Sequence, residues 1–172
     1  INEVLAHNTT KREADGSTPD WVELYNPTAN PVDLADMSLS DDPAVPRKYV
    51  FAAGSRIAGR AFRTLKCDPD RPPGTNSTGF GLKFNGQALY LFDQLAKGGG
   101  ALSAVSFGVQ AADFSIGRVP NGSANWLLCQ ESIGADNHPV VLGDPMALKV
   151  NEWMANPASG DDWFEIYNPN YG

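Results

Sequence analysis

The chain has little basic charge. Thirteen lysines and arginines stand against twenty acidic residues among 172, a formal net charge of −7. That balance repels phosphate backbones and anionic lipid, so nucleic-acid and membrane-surface partners start at a disadvantage. The basic residues are also scattered, with Lys11-Arg12 and Arg47-Lys48 forming pairs rather than a stripe. Cysteine is scarce: Cys67 and Cys129 are too few for a disulfide-built scaffold and too far apart for a CxxC motif. The two histidines, His7 and His138, stand in no HExxH or other ligand spacing and read as solvated loop residues. No serine sits in a GxSxG elbow. Gly98–Gly100 is followed by no Lys-Ser/Thr pair, which excludes a phosphate-cradling loop. No apolar run approaches the ~18 residues of a membrane-spanning helix.

Turn formers are what the chain has in quantity. Seventeen glycines and thirteen prolines cut it often, which suits short strands better than long helices. An apolar content of 42% is ordinary for a globular protein and sufficient for a core.

The chain also repeats itself. DWVELYNP at 20–27 returns as DWFEIYNP at 162–169, and INEVLAHN at 1–8 returns as VNEWMANP at 150–157. Asn2 recurs 149 residues on as Asn151, and Trp21 recurs 142 residues on as Trp163, so the connecting loop is seven residues longer in the first copy. Surface loops tolerate such differences. The period is that of a whole domain, far beyond a 20–50-residue solenoid repeat. It predicts one domain over residues 1–143, a linker at 144–149 and the truncated start of a second copy at 150–172.

Strand patterns fill the first copy. INEVLA reads as a first strand. In DWVELYN, Val22 and Leu24 lie on one face and Trp21, Glu23 and Tyr25 on the other, until Asn26-Pro27 stops it. The alternation in PVDLADMSLS slips by one residue near Ala35-Asp36, which predicts a bulge or bend. KYVFA and AFRTLKC are further strands. Asn85-Gly86 between apolar runs predicts a two-residue hairpin turn. ALSAVSFG, FSIGRV and NWLLC complete the set, the last two joined across Pro120–Gly122. Only DQLAKGG, 93–99, has room for a helical turn, and the stretch from Gln130 to Pro145 reads as loop. Eight to nine short strands without a credible helix predict an all-β sandwich or barrel. Two strands alone are marginal in water, so the strands expected at 147–154 and 161–168 need an edge-paired or strand-exchanged contact to hold them.

In order, these segments resemble a known family. INEVLA, DWVELYNPTANPVDLADMSLSDD, RIAGRAFRTL, FGLKFNGQALYLFD, VSFG, FSIGRVPNGSANW and SIGADN are similar to the bacterial form of the lamin-tail domain over about 137 residues, and the resemblance begins again at 150. It implies an immunoglobulin-like β-sandwich, and a non-enzymatic module of a larger, exported bacterial protein with no cofactor. Such modules mediate protein–protein or surface attachment and space neighbouring domains. The chain departs from the pattern in lacking the proline of the closing segment, Ser132–Asn137, and in carrying two cysteines where apolar residues are expected.

Several residues have a sharper reading beside a plain one. Trp21, Glu23 and Tyr25, with Trp126, make a candidate ligand or partner platform, carbohydrate being the alternative to protein. The plain reading is that they cover the sheet, and their return in the second copy favours it. Glu3 and Glu23 are candidates for a paired-carboxylate acid/base site, but no substrate-shaped motif surrounds them. Asp41-Asp42 are the weak Ca²⁺ candidates, against the default of acidic turn residues, and no metal is expected. In an exported protein Cys67 and Cys129 are expected to be bonded, provided their Cα atoms come within ~7 Å. Nucleic acid is the weakest partner class.

Overall fold

The computed structural model of the protein describes residues 1–170, which divide into two units, the first spanning Ile1–Val140 and the second beginning at Val141. The first unit contains β1 (Glu3–Leu5), β2 (Asp20–Tyr25), β3 (Val32–Asp33), β4 (Ser38–Ser40), β5 (Tyr49–Val50), β6 (Arg56–Ile57), β7 (Phe62–Cys67), β8 (Gln87–Phe92), β9 (Ala101–Phe107), β10 (Phe114–Arg118), β11 (Trp126–Gln130) and β12 (His138–Pro139). All pairings between these strands are antiparallel. One sheet runs β12-β11-β10-β1-β2-β7, another β5-β4-β8-β9, and β3 pairs with β6. Four of the strands are two residues long, too short to show any alternation in sequence, which is why fewer strands are expected than form.

The six- and four-stranded sheets meet across one core. Val4, Val22, Leu24 and Leu65 from the first sheet join Leu39, Leu89, Leu91, Val105 and Phe107 from the second. The protein is therefore an all-β sandwich. Each fully buried aliphatic side chain stabilises it by on the order of 1.5–3 kcal/mol.

The expected irregularity at Ala35-Asp36 is a turn, with Asp36 at φ 65 between β3 and β4. Its carboxylate accepts bonds from Arg47 and from the Leu95 N–H, which holds this left-handed residue in place. The expected hairpin around Asn85-Gly86 forms its turn but not its first strand. Gly86 has φ 117 and donates its N–H to Lys83 O. β8 is already flanked by β4 and β9, so residues 82–84 find no free edge to pair with. A short 3-10 turn at Leu95–Lys97 and left-handed Gly98 and Gly99 lead into β9.

The NP ending of the repeat has a clear task. Asn26 is buried and its Nδ2 donates to Asn30 O and Ala58 O, satisfying carbonyls of the turn that follows β2.

In the second unit, β13 (Lys149–Met154) pairs antiparallel with β14 (Trp163–Tyr167). The register reproduces that of β1 with β2. Glu152 faces Glu165 as Glu3 faces Glu23, Trp153 faces Phe164 as Val4 faces Val22, and Met154 faces Trp163 as Leu5 faces Trp21. The aspartate before the tryptophan also keeps its role: Asp20 accepts the Asn8 N–H, and Asp162 accepts that of Asn156. Every residue of β13 and β14 is exposed.

The two thiols are free and buried. The expected Cys67–Cys129 disulfide is corrected by the topology. Cys67 lies on β7 and Cys129 on β11, with β2, β1 and β10 between them. Four strand spacings of about 4.8 Å far exceed the Cα separation a disulfide spans. Burial pushes the Cys67 thiol up to about 12 and raises that of Cys129 as well, so both stay protonated and unreactive. Alkylation of non-reduced, denatured protein followed by mass measurement is expected to find two modified thiols, and alkylation of the native protein close to none.

Candidate functional site

The residues that repeat converge on one place. β1 and β2 are central in the six-stranded sheet, and their register sets Glu3 opposite Glu23. Val22 and Leu24 point into the sandwich core, so Glu3, Trp21 and Glu23 take the opposite face of the sheet. Of the two readings of that face, an open platform or cover for the sheet, the platform does not form. Glu3, Trp21 and Glu23 are each 0% exposed. Both carboxylates bond to the segment Ser132–Asn137, a stretch that reads as loop in the sequence.

This segment is latched by carboxylates. Glu3 Oε1 accepts from Ser115 Oγ at 2.5 Å and from the Ser132 N–H at 3.1 Å. Ser132 Oγ lies 3.0 Å from both Glu3 Oε2 and Asn137 Oδ1, and its single proton serves one at a time. Glu23 Oε2 accepts from Thr64 Oγ1 at 2.8 Å and from the Gly134 N–H at 2.7 Å. Asn137 closes the end by donating Nδ2 to Asn2 O and Arg118 O, while Asn2 Oδ1 accepts the Gly122 N–H. A Cβ on Gly117 would lie 2.5 Å from Asn137 Nδ2, so the strand under the latch needs glycine there. Gly117→Ala is expected to displace that amide and cost at least about 2 kcal/mol in a denaturant melt.

Two carboxyls so close and so buried resist joint ionisation. Burial pushes Glu3 up to about 7; the facing Glu23 charge adds to this, and bonds from Ser115 and Ser132 oppose it. Burial also raises Glu23, against the Gly134 N–H and Thr64 hydroxyl. A proton on Glu3 Oε2 resolves the competition at Ser132: Glu3 then donates to Ser132 Oγ, which donates to Asn137. Glu23 Oε1 and Trp21 Nε1 find no partner among the described residues. In chemical terms the pair is a clasp for this segment, and with both groups at 0% exposure no substrate reaches it.

The other candidates do not join it. Tyr25 is half-buried, its ring 4.8 Å from that of Phe62. Trp126 packs against the core on the inner face of the sheet, with Arg118 4.5 Å from its ring centroid. Tyr25 and Trp126 are therefore on opposite faces and share no platform. Asp41 is paired with Lys48 at 2.6 Å, and Asp42 accepts the Ala44 N–H within its own turn. Among the described residues no group of three or more His, Cys, Asp or Glu gathers to hold a metal, and no helix is long and apolar enough to cross a membrane. His7 stacks on Phe84 at 4.8 Å, whereas His138 is exposed on β12.

In the second unit the same pair stands uncovered. Glu152 and Glu165 are exposed, and Asn151 Nδ2 donates to Glu165 Oε1. Comparison with family models, with curated proteins and with solved structures finds no match for this chain.

Proposed function

We propose that the chain is a non-catalytic interaction module of lamin-tail type, with an immunoglobulin-like sandwich followed by a hairpin that repeats its first two strands, from a larger exported bacterial protein. Its work is protein–protein or surface attachment and the spacing of neighbouring domains. The observation that carries this reading is the fate of the repeated polar residues. Asn2, Glu3, Glu23 and Asn26 are all buried and spent on internal hydrogen bonds, so what repeats is a way of building a sheet, not an active site. The carbohydrate alternative loses support from the same facts, since Trp21 is sealed and Tyr25 and Trp126 face apart. Nucleic-acid binding is opposed by the net charge of −7.

The test is a broad hydrolase panel run beside a glycan array. The reading expects silence on both. Turnover that Glu23→Gln abolishes would overturn the non-catalytic reading, and glycan binding lost on Trp126→Ala would replace it with the carbohydrate one.

A further inference from the structure

The sheets of the first unit end in edges of different quality. β5 and β12 are two residues long, and β12 ends in Pro139. β7 carries Arg63 and Lys66 and is overlaid by the loop after it, through the Asn76 O and Thr78 N–H bonds to Lys66. Short length, charge, proline and covering loops are the devices that block unwanted strand pairing. β9 has none of them. Its seven residues, Ala101–Phe107, are uncharged and free of proline, and among the described residues it pairs only with β8.

Beside that edge lies a groove of about 480 Å³ lined by Val105 and Phe107 of β9 and by Ile116, Trp126 and Leu128 of the facing sheet. Its size falls in the ~300–1,000 Å³ range of ligand clefts. No ionisable side chain lines it, so a charged occupant would lose its hydration unpaired. Gln110 also lines it and is 7% exposed. Its Nε2 donates to Gly108 O at 3.1 Å, and its Oε1 is sealed from solvent without a partner among the described residues.

An open backbone edge beside an apolar groove describes an occupant that offers backbone N–H and C=O groups and apolar side chains at alternate positions. We infer that β9 and this groove form a strand-addition site for an uncharged, extended segment of a partner protein. A second copy of this chain fits less well. The opposite sheet continues through β11 and β12 on the side where β9 ends, leaving a shelf one strand can lie on. A whole second sandwich would bring its own shelf into the same space.

The inference rests on the interaction-module reading and names its surface. It is tested on the full chain by nitrogen-15 NMR titration with the acetylated, amidated peptide Thr-Val-Thr-Val-Thr-Val-Thr. Shift changes and slowed amide exchange are expected at residues 101–107, the Gln110 side chain and the Trp126 indole. Methylating alternate peptide nitrogens is expected to weaken binding at least about tenfold, as the loss of two or three edge bonds implies. Silence up to about 1 mM, equal binding of the methylated peptide, binding elsewhere on the chain, or dimerisation through β9 would each overturn the site. Those results leave the interaction-module reading standing, whereas turnover on the hydrolase panel would overturn that reading alone.

Discussion

Trp21→Ala is expected to lower stability by about 3–5 kcal/mol, the range for truncating a fully buried large aromatic, and to drop the melting temperature by about 10 °C or more. Trp21 is 0% exposed. The matching change in the second copy, Trp163→Ala, is expected to change stability by less than about 0.5 kcal/mol, as for a surface position, because Trp163 is 44% exposed on a hairpin whose strand residues are all open. Denaturant melts of the two variants check this. Two tryptophans in nearly identical octapeptides thus differ in energetic weight because only one has a cover.

Acidification is expected to stabilise the first unit. Glu3 is raised to about 7, Asp20 to about 6 and Glu23 in the same direction, each chiefly by burial. A carboxyl whose folded pKa exceeds its unfolded one binds its proton more tightly in the folded state. Its stabilisation is full below the unfolded value and is lost as pH rises through the folded value. Stability should therefore fall from pH 5 to pH 8. The rise of Glu3 from 4.5 to about 7 corresponds to on the order of 3 kcal/mol over that window. Glu3→Gln keeps the acceptors for Ser115 and the Ser132 N–H and offers a donor to Ser132 Oγ, so it mimics the protonated acid. It should flatten most of the dependence, measured as unfolding free energy against pH. A Glu3→Gln variant as pH-sensitive as the parent would show that the protons act elsewhere.

Much of the sheet architecture was readable in the sequence. The period-2 pattern of DWVELY fixed which residues enter the core, and Val22 and Leu24 do so. Asn26-Pro27 ended the strand where β2 ends. The clasp was readable only in part. That Trp21 and Glu23 share a face follows from alternation, but whether that face is wet depends on a segment more than a hundred residues away. Ser132, Gly134 and Asn137 carry no periodicity because they act through backbone N–H groups and one amide rather than through apolar burial. Their signal was compositional: a short Ser, Gly and Asn run between strands. The disulfide expectation failed for the same reason, since strand order, which separates Cys67 from Cys129, is not written in local spacing. The groove beside β9 arises from unequal sheet sizes, and no local pattern encodes it.

The repeated carboxylates of the first unit clasp a closing segment and are not an open site. Hydrogen exchange at the Ser132 and Gly134 amides, which bond to Glu3 and Glu23, tests it most directly. Protection at a fixed pH comparable with the amides of β1 and β2 is the predicted result. Exchange at the rate of a free peptide, with β1 and β2 still protected, would contradict the account and return the pair to solvent as a site.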